Sequence, residues 1–147
     1  MYIDPVLTTN FDRKLHSGKV RDIYDLDDDK LLMISTDRIS AFDVIMSEAV
    51  PGKGIILNNL SKFWFDFFDK TDNHFISSGN DYDFSQISRF QSIDIKYLNR
   101  SCIVKKAQRI DMECVVRGYI TGSAWEEYKL TGKINSRNIP SDLREGE

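Results

Sequence analysis

Two strand-like segments separated by three aspartates constrain the fold of the first part of this chain. Residues 20–26 and 30–36 are rich in β-branched and aromatic side chains, and Asp27-Asp28-Asp29 forms a polar turn between them. In the first segment, alternate residues share one face: Val20, Asp22, Tyr24 and Leu26. Gly18 lies at the preceding bend. This pattern predicts an antiparallel meander with a glycine at its first bend.

A second strong pattern follows Pro51-Gly52-Lys53-Gly54. Apolar side chains recur there at steps of three and four residues: Ile56, Leu60, Phe63, Trp64, Phe67 and Phe68. Lys62, Asp66 and Asp69 take the other side. Such spacing predicts a helix with one apolar face. We expect this aromatic stripe to lie in the core and to anchor the helix against the sheet.

The rest of the chain gives shorter signals. A short strand is expected near residues 74–76, and further strands are expected over residues 101–107 and 112–117. A helix start signal, with Thr121 or Ser123 as a possible cap, begins a helix that Gly132 would end. Residues 136–147 are polar and predict a loop.

Composition limits the classes of function. The chain is 41% apolar and 29% charged, which is the balance of a globular protein rather than a disordered one. Its net charge of −3 argues against a surface built to bind nucleic acid, although a local basic pocket for a phosphorylated small molecule remains possible. No apolar run approaches the roughly 20 residues that cross a membrane, and the first residues do not look like a secretory signal.

The cysteines and histidines indicate no metal or disulfide framework. Cys102 and Cys114 have apolar neighbours and are expected to be reduced core residues. His16 and His74 are too far apart in sequence to show a metal-ligand spacing. The expected location is therefore cytoplasmic.

Three basic segments are candidates for phosphate binding. Gly18 lies between Ser17 and Lys19-Val20-Arg21, where backbone amides and two basic side chains could bracket an anion. The alternative is a hairpin with two solvated charges. Lys105 and Lys106 end an apolar strand, and they are either sheet-edge charges or ligands of a nucleotide phosphate.

The third basic segment is Arg117-Gly118-Tyr119-Ile120-Thr121-Gly122-Ser123. A strand would deliver Arg117 to the start of a helix, where free amides and the helix dipole favour an anion. A capped helix with a surface arginine explains the same pattern. Residues 36–43 are expected to form a polar loop after a buried strand, in which Asp37 and Asp43 could orient a substrate or cap turns through their side chains.

Four of these segments, in this order, resemble one family. They are Gly18-Lys19-Val20-Arg21-Asp22, Thr36-Asp37-Arg38-Ile39-Ser40-Ala41-Phe42-Asp43, Pro51-Gly52-Lys53-Gly54 and Val116-Arg117-Gly118-Tyr119-Ile120-Thr121-Gly122-Ser123-Ala124-Trp125. The resemblance is to SAICAR synthetase, the phosphoribosylaminoimidazole-succinocarboxamide synthase of purine biosynthesis. It extends from about residue 15 to residue 133.

The resemblance implies a ligase that depends on ATP and magnesium and makes a carbon–nitrogen bond. L-Aspartate would be joined to the carboxylate of carboxyaminoimidazole ribonucleotide, giving SAICAR, ADP and phosphate. Gly18, Lys19, Val20 and Arg21 would lie over the ATP phosphates. The backbone of residues 105–108, which end at Gln108, would read adenine, with Lys105 or Lys106 directed at phosphate.

The resemblance also implies the residues that hold the other substrates. Arg117 and Ser123 would hold the ribonucleotide, most simply by its phosphate. Asp37, Ser40 and Asp43 would face the substrate cleft. Members of the family carry a later Asp-x-Lys-x-Glu-Phe-Gly segment that this sequence lacks, so metal ligands are expected mainly there and none is assigned here.

The fold implied is α+β, an antiparallel sheet with a packed helix, like the nucleotide-binding lobe of ATP-grasp or kinase-like proteins. Residues 1–107 would form that lobe, and residues 108–147 would connect it to the first strand and helix of a second, incomplete lobe. Apolar area left exposed by the missing part would favour self-association into a homo-oligomer.

The alternative function is a non-catalytic nucleotide-binding module. A single-strand nucleic-acid binder is disfavoured by the acidic charge and by the helical placement of the aromatic residues.

Overall fold

A computed structural model describes residues 4–112 and 114–147. The chain divides into two compact units, Met1–Gln108 and Arg109–Glu147, here named the N-terminal unit and the C-terminal unit. No helix within the described ranges is both long and apolar enough to cross a membrane.

The N-terminal unit is built on a five-stranded antiparallel sheet. Its strands, in chain order, are β1 (Lys14–Ser17), β2 (Arg21–Asp25), β3 (Lys30–Ser35), β6 (Phe75–Ser78) and β7 (Ser101–Lys105). The order across the sheet is β1-β2-β3-β7-β6. The predicted meander is confirmed, with Gly18 between β1 and β2 and the aspartate turn between β2 and β3.

Side chains from one face of the sheet form the core. Tyr24 and Leu26, which were expected to share one face of the strand, are buried, and Asp22 on the same face is completely buried. The core cluster consists of Tyr24, Leu26, Leu32, Ile34, Phe84, Phe90 and Ile103. Its two phenylalanine rings, Phe84 and Phe90, come from the segment between β6 and β7, which contains the short helix α2 (Ile95–Leu98). On the opposite face, Ile23, Met33 and Cys102 are paired across three strands and are half-buried.

Helix α1 (Lys53–Phe67) forms where it was expected, but the prediction of its buried face is wrong. Gly54 and Asn58 are its buried residues, and the Asn58 side chain donates a hydrogen bond to the Ser101 carbonyl (3.0 Å). A Cβ atom on Gly54 would lie 2.3 Å from the Ser35 carbonyl oxygen, so glycine permits this close approach.

The aromatic stripe of α1 lies on the side away from that contact. The exposed fractions of Ile56, Leu60, Phe63, Trp64, Phe67 and Phe68 all lie between 48% and 67%. At about 100° per residue, Gly54 and Asn58 point opposite to Phe63. The helix therefore packs through its smaller, more polar face, because only a glycine lets the helix approach the end of β3 so closely.

Residues 36–43 do not form the expected loop. Arg38–Ala41 is strand β4, which pairs with β5 (Val44–Ala49) in a separate two-stranded sheet. Ala41 and Val44 are paired, so Phe42 and Asp43 alone make the turn. Both have positive φ values, +48° and +65°.

We expect Phe42→Gly to stabilise the protein by about 0.5–1 kcal/mol. A left-handed backbone costs a residue with a Cβ atom about 1–2 kcal/mol, whereas glycine costs about 0.5–1 kcal/mol in lost backbone freedom. The Phe42 ring is fully exposed, so its removal loses no packing. Urea unfolding measures the difference. A variant less stable than the parent would show that the ring makes a stabilising contact.

The C-terminal unit contains helix α3 (Gly122–Thr131) and a small hairpin of β8 (Lys133–Ile134) and β9 (Arg137–Asn138). The helix ends at Gly132, which has a left-handed backbone as predicted. Thr121 is the N-cap residue, although its side chain makes no capping hydrogen bond. The hairpin is short, so residues 136–147 are mostly irregular, in line with the expected loop.

The strand expected over residues 112–117 is wrong for the described part of this segment, residue 112 and residues 114–117. These residues have no strand backbone, and Val115 and Val116 are exposed. A β-rich composition forms a strand only where a neighbouring strand accepts its hydrogen bonds, and none lies beside these residues in the described C-terminal unit.

Both cysteines are free, as expected, but only one of them is sheltered. Cys102 is half-buried in β7, where burial raises the pKa of its thiol to about 11. Cys114 is exposed, which corrects the expectation of a core residue.

Candidate functional site

The bend between β1 and β2 is the first candidate site, here named the glycine loop (residues 18–21). The Gly18 amide donates a hydrogen bond to the Arg21 carbonyl (2.7 Å), which closes the bend. The Lys19 side chain is 56% exposed. The loop therefore presents a solvent-accessible ammonium on a tight turn, which suits a phosphate ligand.

The buried Arg38 side chain fixes the glycine loop by hydrogen bonds to two of its carbonyl groups. Its buried guanidinium donates to the Gly18 carbonyl (2.8 Å), to the Lys19 carbonyl (3.1 Å) and to the Asp22 carboxylate (2.9 Å). These bonds direct the Gly18 and Lys19 carbonyls toward Arg38 and fix the bend. Arg38 could not be singled out for this role from the sequence, because its contacts join residues about twenty positions apart.

Asp22 completes this support under the loop. Its carboxylate accepts hydrogen bonds from Thr9 (2.6 Å), Ser17 (2.7 Å) and Arg38. Burial alone would raise the pKa of Asp22, but these hydrogen bonds and the charge of Arg38 hold it well below the ordinary range. Asp22 is therefore ionised at neutral pH and fixes Arg38.

The protein is expected to lose stability as the pH falls below about 4. The pKa of Asp22 is lower in the folded state than the ordinary value of about 3.9, so the unfolded state binds more protons as the solution becomes acidic. The stabilising contribution is complete above that value and is lost below it. Urea unfolding between pH 7 and pH 3 measures this loss. Asp22→Asn should show a shallower pH dependence, and an unchanged slope would contradict the assignment.

Lys19 is paired with Asp43 at the turn between β4 and β5. The hydrogen bond and charge of Lys19 lower the pKa of Asp43. Both side chains are more than half exposed, so solvent screens the pair and an anionic ligand can compete for Lys19. The structure thus brings Asp43 to the glycine loop. Ser40 is half-buried on β4, in the strand that leads to this turn.

Asp37 does not face a cleft, which corrects the expectation for this residue. It is completely buried and accepts hydrogen bonds from the backbone amides of Val6 and Gly54, both 2.8 Å. Arg100 Nη1 lies 2.7 Å from its Oδ1 atom. Burial would raise the pKa of Asp37, but these amide donors and Arg100 lower it. Asp37 is a structural carboxylate that fixes the start of α1.

The connection after β7, residues 105–108, lies at the opposite end of the sheet from the glycine loop. Lys105 pairs with Lys30 at the start of β3, whereas Arg21 pairs with Ser35 at its end. Five steps along a strand span about 17 Å. Neither Lys105 nor Lys106 is therefore placed beside the glycine loop, which corrects the expectation that one of them is directed at the same phosphates.

Lys106 has a structural partner instead. Its ammonium lies 2.7 Å from the Asp25 carboxylate and donates to the Asp27 carbonyl (2.6 Å). The hydrogen bond from Lys106 also lowers the pKa of Asp25. Lys105 and Gln108 are exposed. The half-buried Ile23, Met33 and Cys102 lie on the sheet between the connection and the glycine loop.

The C-terminal unit contains a second candidate site, here named the α3 cleft. It has a volume of about 650 Å³ and is lined by Arg117 and Ser123, together with Tyr119, Glu127 and Asn135. A Cβ atom on Gly122 would lie 3.5 Å from Arg117 Nη1, so the guanidinium lies against the first turn of α3. The two predicted ribonucleotide residues therefore share one cleft, although an irregular segment rather than a strand delivers Arg117.

The match to known proteins covers the residues of both candidate sites. The sequence matches the SAICAR synthetase family over residues 14–147. Phosphoribosylaminoimidazole-succinocarboxamide synthase of Maridesulfovibrio salexigens is 48% identical over 134 residues, covering 90% of this chain and 44% of the relative. The Geobacter sulfurreducens enzyme of the same name is 50% identical over 149 residues, covering 97% and 48%. The chain spans about half the length of the curated relatives it matches.

Solved structures agree with the sequence comparison. "SAICAR-synthase from Saccharomyces cerevisiae complexed SAICAR" superposes with a TM-score of 0.85 at 40% identity and covers 97% of this chain and 50% of that one. "SAICAR synthetase (Type-2) in complex with ADP" gives a TM-score of 0.59 at 25% identity, covering 85% and 46%. The α+β antiparallel fold expected from the sequence is thereby confirmed. The chain belongs to the SAICAR synthetase family.

Proposed function

We propose that this chain is the N-terminal part of a ligase that uses ATP to join L-aspartate to carboxyaminoimidazole ribonucleotide in purine biosynthesis. The observation that carries the proposal is the family match over residues 14–147, in which the glycine loop and the α3 cleft are both formed. The N-terminal unit would bind ATP, and the C-terminal unit would begin the second lobe.

ATP would lie along the open face of the sheet. Its phosphates would meet Lys19 and the amides of the glycine loop, including that of Val20, and Arg21 would add a second positive charge. Its adenine would meet the backbone of residues 105–108 at the other end, over half-buried Ile23 and Met33. The two ends are separated by the length of β3, which suits an extended nucleoside triphosphate. The solved SAICAR synthetase (Type-2) in complex with ADP supports a nucleotide site.

Arg117 and Ser123 would hold the phosphate of the ribonucleotide in the α3 cleft. Unpaired amides at the start of α3 and the positive end of its dipole favour an anion there. Arg117 would add a charge-assisted contact. The Saccharomyces cerevisiae structure complexed with SAICAR supports a ribonucleotide ligand in this family. L-Aspartate is the remaining substrate, and Ser40 and Asp43 are the residues that we propose face the substrates.

The proposed reaction activates a carboxylate. A carboxylate oxygen of the ribonucleotide attacks the γ-phosphorus of ATP, and the bond to ADP breaks. The aspartate amine then attacks the acyl carbon of the acyl phosphate, phosphate leaves, and the amine nitrogen loses a proton. Lys19 would offset negative charge on the phosphates during the first step.

Magnesium would be held mainly by the ATP phosphates, because this ion usually takes only one or two carboxylates together with substrate phosphates. Residues 4–112 and 114–147 contain no group of three or more His, Cys, Asp or Glu side chains arranged to hold a metal ion. The second candidate function is a nucleotide-binding module without catalysis, and turnover of the substrates by the 147-residue protein alone would exclude that candidate.

A cytoplasmic location and self-association complete the proposal. Both cysteines are free, which suits a reducing compartment. The exposed aromatic stripe of α1 is a large apolar surface of the kind that mediates contacts between protein chains.

We expect Lys19→Ala to weaken ATP binding to the 147-residue protein by about tenfold or more, because a charge-assisted contact to phosphate is lost. Isothermal titration calorimetry measures the affinity. Lys96→Ala is the matched control, since Lys96 is similarly exposed (55%) and also lies beside an aspartate, Asp94. Equal ATP affinity in the two variants would remove Lys19 from the site.

A further inference from the structure

The α3 cleft contains a carboxylate that the proposed phosphate site does not use. Glu127 lies four residues after Ser123 on α3, and both side chains line the cleft. Residues four apart occupy the same helix face, about one turn or 5.4 Å apart along the axis. Glu127 therefore lies one turn beyond the position proposed for the phosphate.

Glu127 is half-buried but has no partner for its charge. Within residues 4–112 and 114–147, no hydrogen bond or ion pair to its carboxylate is formed, and only its backbone carbonyl is engaged, by Thr131. The adjacent Glu126 pairs with Lys129 (2.8 Å), and the Glu147 carboxylate accepts the Arg144 amide (2.9 Å). A half-buried carboxylate loses part of its hydrogen bonding to water, and donor groups of a ligand would replace those hydrogen bonds.

The spacing between Ser123 and Glu127 indicates which groups of the ligand would donate hydrogen bonds to the Glu127 carboxylate. Phosphate groups repel a carboxylate, so Glu127 does not share the phosphate held by Arg117 and Ser123. In a ribose 5-phosphate group, the hydroxyls on the sugar lie a few bonds beyond the phosphate, at a distance comparable to one helical turn. Carboxylates recognise ribose hydroxyls in nucleotide-binding folds by accepting hydrogen bonds from them. Asn135, on the turn of the β8–β9 hairpin, lines the same cleft and offers further polar groups.

We propose that Glu127 accepts hydrogen bonds from the ribose hydroxyls of the ribonucleotide whose phosphate lies at Arg117 and Ser123. The inference rests on the proposed ribonucleotide site and adds its specificity for ribose. Arg117 fixes the phosphate end, and Glu127 selects a sugar that carries both hydroxyls.

The test compares ribose 5-phosphate with 2-deoxyribose 5-phosphate as probes of the 147-residue protein, with affinities measured by NMR titration. The parent protein should prefer the ribose probe by about tenfold, because a hydrogen bond to a charged group is lost in the deoxy probe. Glu127→Gln should reduce this preference to about twofold or less, because it weakens binding of the ribose probe more than binding of the deoxy probe, which keeps only the 3-hydroxyl. Glu126→Gln, in the adjacent residue, should keep the full preference.

The outcomes separate this inference from the proposed function. If Arg117→Ala weakens both probes while Glu127→Gln keeps the tenfold preference, the ribose assignment is overturned and the phosphate site stands. If Arg117→Ala changes neither affinity, the ribonucleotide site itself fails. A parent protein that binds neither probe, or binds both equally, also overturns the assignment. A melting temperature of Glu127→Gln equal to the parent's shows that lost preference does not arise from unfolding.

Discussion

Replacing Arg100 by alanine is expected to lower the free energy of unfolding of the N-terminal unit by about 3–5 kcal/mol. The Arg100 side chain is 1% exposed and lies 2.7 Å from a completely buried carboxylate oxygen of Asp37. Its removal leaves that carboxylate with backbone donors but without a counter-charge. Urea unfolding followed by circular dichroism measures the loss.

The matched control for Arg100→Ala is an ion pair of similar length at the surface. Lys62 lies 2.6 Å from Asp66, but both side chains are more than a third exposed. Solvent screens such a pair, so Lys62→Ala should change stability little. Similar losses in the two variants would show that burial does not determine the contribution of Arg100.

Replacing Arg117 by alanine is expected to weaken ribonucleotide binding by about 10- to 150-fold, equivalent to about 1.5–3 kcal/mol for a lost charge-assisted contact. ATP binding should be unaffected, because the residues proposed for ATP lie in the N-terminal unit. Ser123→Ala should act in the same direction but less, since a neutral hydroxyl forms a weaker hydrogen bond to phosphate. Titrations with each ligand separately measure both effects.

The same variants test the alternative of a capped helix with a surface arginine. In that case Arg117→Ala and Ser123→Ala would change stability by about 1 kcal/mol or less and leave ligand affinity unchanged. Arg109→Ala is the control, because Arg109 is an exposed arginine of the same unit, paired with Asp111. An Arg117→Ala variant with the parent's ribonucleotide affinity and a lower melting temperature would favour the structural role.

Local sequence patterns were sufficient to predict the meander and the positions of α1 and α3, but not α2. Alternation along β2 depends on neighbouring residues, and the aspartate turn fixes the pairing of β2 with β3. Gly132 ends α3 because its backbone is left-handed there. The buried face of α1 was not predictable in this way, because the helix has an apolar stripe and a small-residue face. The position of the Ser35 carbonyl favours the small-residue face.

For the candidate sites, too, sequence patterns were sufficient only where the residues lie close together along the chain. The glycine loop, and Arg117 and Ser123 of the α3 cleft, lie within short segments, so sequence motifs singled them out as candidates, whereas Glu127 and Asn135 of the same cleft were not singled out. Arg38 supports the glycine loop, and Arg100 neutralises Asp37, through contacts between distant parts of the chain. Lys106 has the pattern of a phosphate ligand but lies beside Asp25, because the sheet register places it at the other end of the strands. Spacing in the sequence carries no information about such pairings.

The most direct test of the two proposed sites is a residue-resolved NMR titration of the 147-residue protein, first with ATP and then with carboxyaminoimidazole ribonucleotide. ATP should shift the amide signals of residues 18–21 and 105–108, at the two ends of the sheet. The ribonucleotide should shift those of Arg117 and residues 122–127 around the α3 cleft. Shifts by ATP confined to other regions, or a ribonucleotide that leaves the α3 cleft unchanged, would contradict the proposed function.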